Sequence, residues 1–157
     1  MDVMAESINN DEVIAVLKQV VNVLQDSQKG FADLGERLKD ETLKRYFLAE
    51  SLKRAHFHGE LESELHHAGV HDVHETGTTP GTLHRLWGDL KAKVLRGDHE
   101  LLVTAEQGED AAKKAYANAL EQPLPAPIQQ LLLTQQTHIL MAHDFVRGHR
   151  DALAPAA

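Results

Sequence analysis

The chain contains no cysteine, which excludes disulfide bonds, thiolate metal sites and cysteine nucleophiles. Aromatic residues make up only 4% of the sequence, so a core has to be built mainly from leucine, valine, isoleucine and alanine. The amino terminus lacks a basic segment followed by an apolar run, and we expect no signal peptide. No apolar stretch is long enough to span a bilayer. These features favour a cytoplasmic protein of bacterial type without a membrane partner.

The net charge argues against two further classes of binding partner. The formal net charge is −8 over 157 residues, and such an acidic chain is a poor ligand for nucleic acid or anionic membranes. The length is typical of one domain, which we place at residues 1–157 with an ordered core at about 9–152. The sequence shows neither a glycine-rich phosphate loop nor a Ser-His-Asp set.

Apolar residues recur at spacings of three and four in four long segments, a pattern typical of amphipathic helices. Asn9 or Asn10 is suited to cap the first helix, Gly69 to end the second and Asp98 to cap the third. The prolines of QPLPAP, residues 122–127, separate the third helix from the fourth. The four helices are expected at about 10–39, 41–68, 98–121 and 127–150.

A long connection separates the two helix pairs. Residues 69–80 have the composition of a loop, and residues 82–95 form a short amphipathic segment that includes Trp87. Two antiparallel hairpins joined by a crossover with a short helix describe an all-α, ferritin-like four-helix bundle. The alternative is a simple up-down bundle in which the short helix is a fifth packed element.

Polar residues interrupt the apolar stripe near the middle of every long helix. In the third helix, Glu109 occupies the position between Ala105 and Ala112 where the spacing requires a core residue. Because the middles of antiparallel helices lie at similar heights, we expect these residues to meet in one layer. We predict that Glu109 is buried within hydrogen-bonding distance of Arg54 or of a metal ion. The expected layer consists of Ser27, Glu50, Arg54, Glu109 and Gln135.

Buried charges need partners, and two interpretations of the layer follow. In the first, Arg54 pairs with Glu50, Glu109 or Glu106. The neutral residues Ser27 and Gln135 complete the network. Such a network fixes helix register, and the sequence favours this interpretation.

In the second interpretation the layer holds two iron or manganese ions. Bundles of this class can use a Glu from two helices and Glu-x-x-His from the other two. Glu106-x-x-Glu109 and Gln135-x-x-His138 approach that pattern, but the second helix has no Glu-x-x-His, so the ligand set is incomplete. The candidate ligands are Glu106, Glu109, His138 and His143.

The chain has eleven histidines, and six of them lie between His56 and His74. His58, Glu62 and His66 are spaced by four and share a helical face, which is a second candidate site for zinc, nickel or copper. The favoured interpretation is a solvated polar face. His143 and Asp144 are adjacent, so we expect their side chains to diverge and not to form a catalytic pair.

Several short segments together resemble a known family. They are DSQKGF at 26–31, HRLWGDLK at 84–91, EQGED at 106–110 and AHD at 142–144. Over about residues 8–152 the chain resembles a bacterial ferritin-like family of small four-helix-bundle proteins of unknown function. The resemblance implies a ferritin-like bundle linked to stress responses, without an assigned reaction.

The favoured function is a non-catalytic binding or structural module with an ion-paired core. The alternative is a metal-binding protein that uses iron, manganese or zinc, and a di-iron oxidase or peroxidase is less favoured because ligands are missing. The leucine-rich helices are compatible with a homodimer, and the alanine-rich third helix permits close approach. The sequence names no substrate and no protein partner.

Overall fold

The computed structural model describes residues 10–71 and 97–154, and this part of the chain is all-α. The helix boundaries agree with the sequence prediction to within two residues. The predicted short helix at 82–95 lies outside the described residues. The helices are α1 (Asn10–Arg37), α2 (Glu41–His67), α3 (Asp98–Leu120) and α4 (Ala126–Ala152).

The start of α3 differs from the prediction. Asp98 does not cap α3 but is its first helical residue, and Gly97 takes the cap position with a φ of 91° that glycine adopts readily. The Asp98 carboxylate accepts hydrogen bonds from the backbone nitrogens of Lys39 and Asp40, each at 2.9 Å. Asp40 itself caps α2 by accepting from the backbone nitrogen of Leu43 at 2.9 Å. The start of α3 is thereby fixed to the turn between α1 and α2.

The extent of contact differs among the helix pairs. α1 packs most extensively against α2, α3 packs against both α1 and α4, and α2 and α4 approach each other at only a few positions. At Gly35 of α1 a Cβ atom would lie 2.9 Å from a methyl carbon of Leu48, so glycine permits the close approach of α2. At the opposite end, the side chain of Asn10 donates to the carbonyl of Ala68 at 3.4 Å.

The apolar core consists of two clusters with polar side chains between them. One cluster lies around the first half of α1 and the second half of α2, and the other surrounds the α1–α2 turn. The residues at spacings of three and four on the inner faces of α1 and α2 are buried, and in α4 Leu132 is buried whereas Leu131 is only partly buried. None of the four helices in residues 10–71 and 97–154 combines the length and apolar character needed to cross a bilayer.

Candidate functional site: a buried ion-paired layer

Arg54 of α2 lies at the centre of the layer between the two clusters. Its two terminal nitrogens donate to the two carboxylate oxygens of Glu109 on α3, both at 2.7 Å, and both side chains have no exposed surface. Its Nε donates to Glu50, one turn earlier on α2, at 3.0 Å. The guanidinium carbon also lies 4.7 Å from the ring centroid of Phe31 on α1. Glu109 is therefore buried against Arg54, as its place in the sequence pattern predicted.

Arg54 and Glu50 each shift the pKa of the other toward its charged form. Burial tends to raise the pKa of Glu50, but a hydrogen bond from His138 and the charge of Arg54 outweigh burial and lower it. Burial tends to lower the pKa of Arg54, but the carboxylates of Glu109 and Glu50 raise it above its ordinary value. These shifts favour the ionised forms of both the Arg54 guanidinium and the Glu50 carboxylate.

His138 connects α4 to this layer. Its Nε2 lies 2.8 Å and 3.1 Å from the two carboxylate oxygens of Glu50, and its ring meets that of Phe57 edge-on at 5.4 Å. The sequence offered His138 as a metal ligand, and the structure gives it Glu50 as its partner. The contact crosses the α2–α4 interface, where the two backbones are far apart.

Gln135 belongs to a second, separate group. Tyr116 of α3 donates to the side-chain oxygen of Gln135 at 2.7 Å. The side-chain nitrogen of Gln135 donates to the Glu60 carboxylate at 3.0 Å and to the Phe57 carbonyl at 3.4 Å. Burial is the main cause that raises the pKa of Tyr116, which keeps the hydroxyl protonated as a donor. Gln135 is buried as expected, but it bonds to Tyr116, two turns beyond Glu109 on α3, and not to Arg54. Ser27 is buried on α1 but makes none of these hydrogen bonds.

His143 lies in a third group, between α3 and α4. It is buried, with Nε2 2.9 Å from a carboxylate oxygen of Asp110 and 3.7 Å from one of Glu106. Its Nδ1 lies 3.3 Å from the carboxylate of Asp144, so the expected divergence of these neighbours is wrong. Glu106 also pairs with Arg150 of α4.

The four candidate metal ligands are thus divided among different partners. Glu109 faces Arg54, His138 faces Glu50, and only Glu106 and His143 share a group. Within residues 10–71 and 97–154, no group of three or more His, Asp or Glu side chains is arranged to hold a metal ion.

The histidine face of α2 is divided as well. His58 and Glu62 lie 3.1 Å apart through Nδ1 and a carboxylate oxygen, as their spacing of four predicts. His66 instead has its Nδ1 3.4 Å from that of His71, beyond the end of α2. The helix therefore brings together two of the three residues of this candidate site.

The arrangement can hold helices in position, but its centre is closed. Two grooves of about 290 and 370 Å³ lie elsewhere, near the amino-terminal half of α1. The first includes Gln19 and Asn118 in its lining, the second His67 and Ile128. None of the residues bonded to Arg54 lines either groove.

Comparison with known proteins places the sequence in a family. No curated protein matches this sequence. The family model described as Domain of unknown function (DUF2383) matches residues 12–122, which include Glu50, Arg54 and Glu109 but not α4. Because this match covers more than half of the chain, the protein belongs to the DUF2383 family.

Proposed function

We propose that the protein is a non-catalytic four-helix module that acts by binding another helical surface, with the Arg54 layer holding its helices in register. The observation that carries the proposal is the two-bond pairing of Arg54 with Glu109, both without exposed surface. A reactive or ligand-binding centre needs a group that a substrate can reach. Here the strongest charges satisfy each other inside the bundle.

The contacts at the helix ends support a ferritin-like arrangement. The end of α2 lies beside the start of α1 through Asn10 and Ala68, and the start of α3 lies beside Lys39 at the other end of α1. A helix of 28 residues is about 42 Å long, so Ala68 and Asp98 lie beside opposite ends of α1. This separation supports the proposed long crossover of a ferritin-like bundle. A role in stress responses, which the family resemblance implies, belongs to the same proposal.

The charge at the centre argues for an ion-paired module and against a di-metal protein. In carboxylate-bridged metal bundles, glutamates from all four helices converge on the cations. In this protein the guanidinium of Arg54 occupies the space between Glu50 and Glu109. It satisfies their charge and would repel a metal ion placed beside it.

Elemental analysis of untagged protein tests the proposal. The protein is purified without a chelator or a nickel column and then dialysed, and we expect no metal in stoichiometric amount. About two equivalents of iron or manganese, lost together in Glu109→Ala, would overturn the proposal in favour of a di-metal centre. About one equivalent of zinc, nickel or copper, lost in His58→Ala or His66→Ala, would instead identify the histidine face as a metal site.

A further inference from the structure

The outward face of α4 exposes apolar side chains along two helical turns. We define this face as Gln130, Leu133, Thr134, Thr137, Leu140 and Met141, which recur at spacings of three and four. Leu133, Leu140 and Met141 are 41%, 40% and 65% exposed. Side chains at this spacing form one continuous stripe, so the exposed leucines and methionine are not scattered singly over the surface.

The two threonines of this face make it more apolar than its composition suggests. The hydroxyl of Thr134 donates to the carbonyl of Gln130, and that of Thr137 donates to the carbonyl of Leu133, each at 3.0 Å. Because these hydroxyls are satisfied within their own helix, they need no hydrogen-bond partner from outside. Threonine is also small enough to let a second helix approach closely.

The face lies within a long uncharged segment. No Asp, Glu, Lys or Arg occurs between Glu121 and Asp144, although a quarter of the chain is charged. Two copies that each carry a net charge of −8 repel each other wherever charged surfaces meet. An uncharged face is the place where two such copies can touch without like-charge contacts, whereas a basic partner would select an acidic face.

We propose that the outward face of α4 binds the same face of a second copy, antiparallel, about a two-fold axis near Thr137. In this register Leu133 of one copy lies opposite Met141 of the other, and Gln130 lies opposite Asp144. A parallel pair would instead bring the two Asp144 carboxylates together, which is unfavourable. The antiparallel contact is self-complementary and closes after two copies. This inference rests on the proposed function and names its binding partner.

Sedimentation equilibrium of the full chain over a range of concentrations tests the proposal. We expect wild-type protein to shift reversibly from monomer to dimer. Thr137→Glu places two carboxylates at the axis and should weaken the dimer about tenfold or more. The matched control is Leu52→Glu, because Leu52 is 74% exposed on α2 and outside the face, and this variant should dimerise as wild type does. A wild-type monomer at every concentration, or equal loss in both variants, would overturn the proposal.

Cysteine crosslinking tests the position of the axis without background, since the chain has no cysteine of its own. With a short bis-maleimide, Thr137→Cys should give covalent dimers at a protein concentration where Leu52→Cys does not. Equal crosslinking of the two variants would contradict the proposed axis. Metal analysis of the same preparations separates the two proposals, because a monomer without metal would overturn the dimer and leave the ion-paired module intact.

Discussion

Two arginine–glutamate pairs use glutamates that lie one turn apart on α3, Glu109 for the inner pair with Arg54 and Glu106 for the outer pair with Arg150. The two pairs differ in burial. Arg54 and Glu109 have no exposed side-chain surface, whereas Arg150 and Glu106 remain 29% and 13% exposed. Arg150 of the outer pair also donates to Asp151, and its exposed surface is accessible to solvent. Similar chemistry therefore has different consequences at the two positions, because the side chains of the inner pair have no access to solvent.

The two pairs should differ in the stability that is lost when one partner is removed. A buried ion pair often adds little stability relative to apolar side chains of the same size, but removing one partner leaves a charge without solvation. An exposed pair loses little, because water replaces the missing group. The inner pair should therefore be sensitive to single substitutions and tolerant of paired ones.

The largest effect is expected from Arg54→Met. This change leaves the buried Glu109 without its partner and should lower the free energy of unfolding by about 3–5 kcal/mol or prevent folding. Urea denaturation followed by circular dichroism measures the loss. A loss below about 1 kcal/mol would place the inner pair in the same class as exposed pairs.

The matched variant is Arg54→Met combined with Glu109→Leu. It replaces both charges by apolar groups, while Glu50 keeps its hydrogen bond to His138. We expect this double variant to recover most of the stability lost in Arg54→Met, or to exceed wild type. If it unfolds as readily as the single variant, the layer contributes something other than charge compensation.

Acid should lower the free energy of unfolding through Glu50, by less than Arg54→Met does. The folded protein lowers the pKa of Glu50 below its ordinary value of 4.5, so the unfolded chain binds the proton more readily. The stabilisation from Glu50 is complete above pH 4.5 and is lost as the pH falls through the lower, folded value. Urea midpoints of wild type and Glu50→Gln between pH 3 and 7 should differ least at the acid end. A difference that grows at low pH would contradict the direction of this shift.

The next largest loss of stability is expected from breaking the buried hydrogen bond between the neutral side chains of Tyr116 and Gln135. Tyr116→Phe removes the hydroxyl that donates to Gln135 and leaves the amide oxygen without that donor. We expect a loss of about 1–2 kcal/mol in the free energy of unfolding. The same denaturation assay measures it, and an unchanged midpoint would indicate that the buried amide finds another donor.

The smallest effect is expected at the outer pair. Arg150→Ala should change the free energy of unfolding by about 0–1 kcal/mol, and the change should shrink in 1 M salt. Parallel denaturation at low and high salt measures it. A salt-insensitive loss comparable to that of Arg54→Met would remove the distinction between the two pairs.

The sequence predicted helix positions and burial well because both depend on local spacing. Glu109 was recognised as buried because it interrupts a regular apolar stripe, and Arg54 is the cation that the corresponding stripe of α2 supplies. Spacing identifies the face of a helix on which a residue lies. It therefore sufficed for the four helices and for the burial of Glu109 and Arg54, but it did not select Glu109 over Glu106 as the partner of Arg54.

Partner choice among the remaining polar residues was predicted less well. Gln135 bonds to Tyr116 and not to Arg54, and His138 bonds to Glu50. These outcomes depend on helix rotation and on height differences of about one turn, which the pattern of a single helix does not contain. Tyr116 was a visible member of the α3 stripe, and its hydroxyl was the signal that it needs a buried acceptor.

Asp98 shows how the bundle links distant parts of its chain. Its carboxylate accepts from the backbone of Lys39 and Asp40, which precede it by 59 and 58 residues. The two nitrogens converge on one side chain only after the α1–α2 turn has formed, so this contact is expected to form late in folding. Slow amide hydrogen exchange at Lys39 would then report on the docking of α3, although Lys39 itself lies in the turn between α1 and α2.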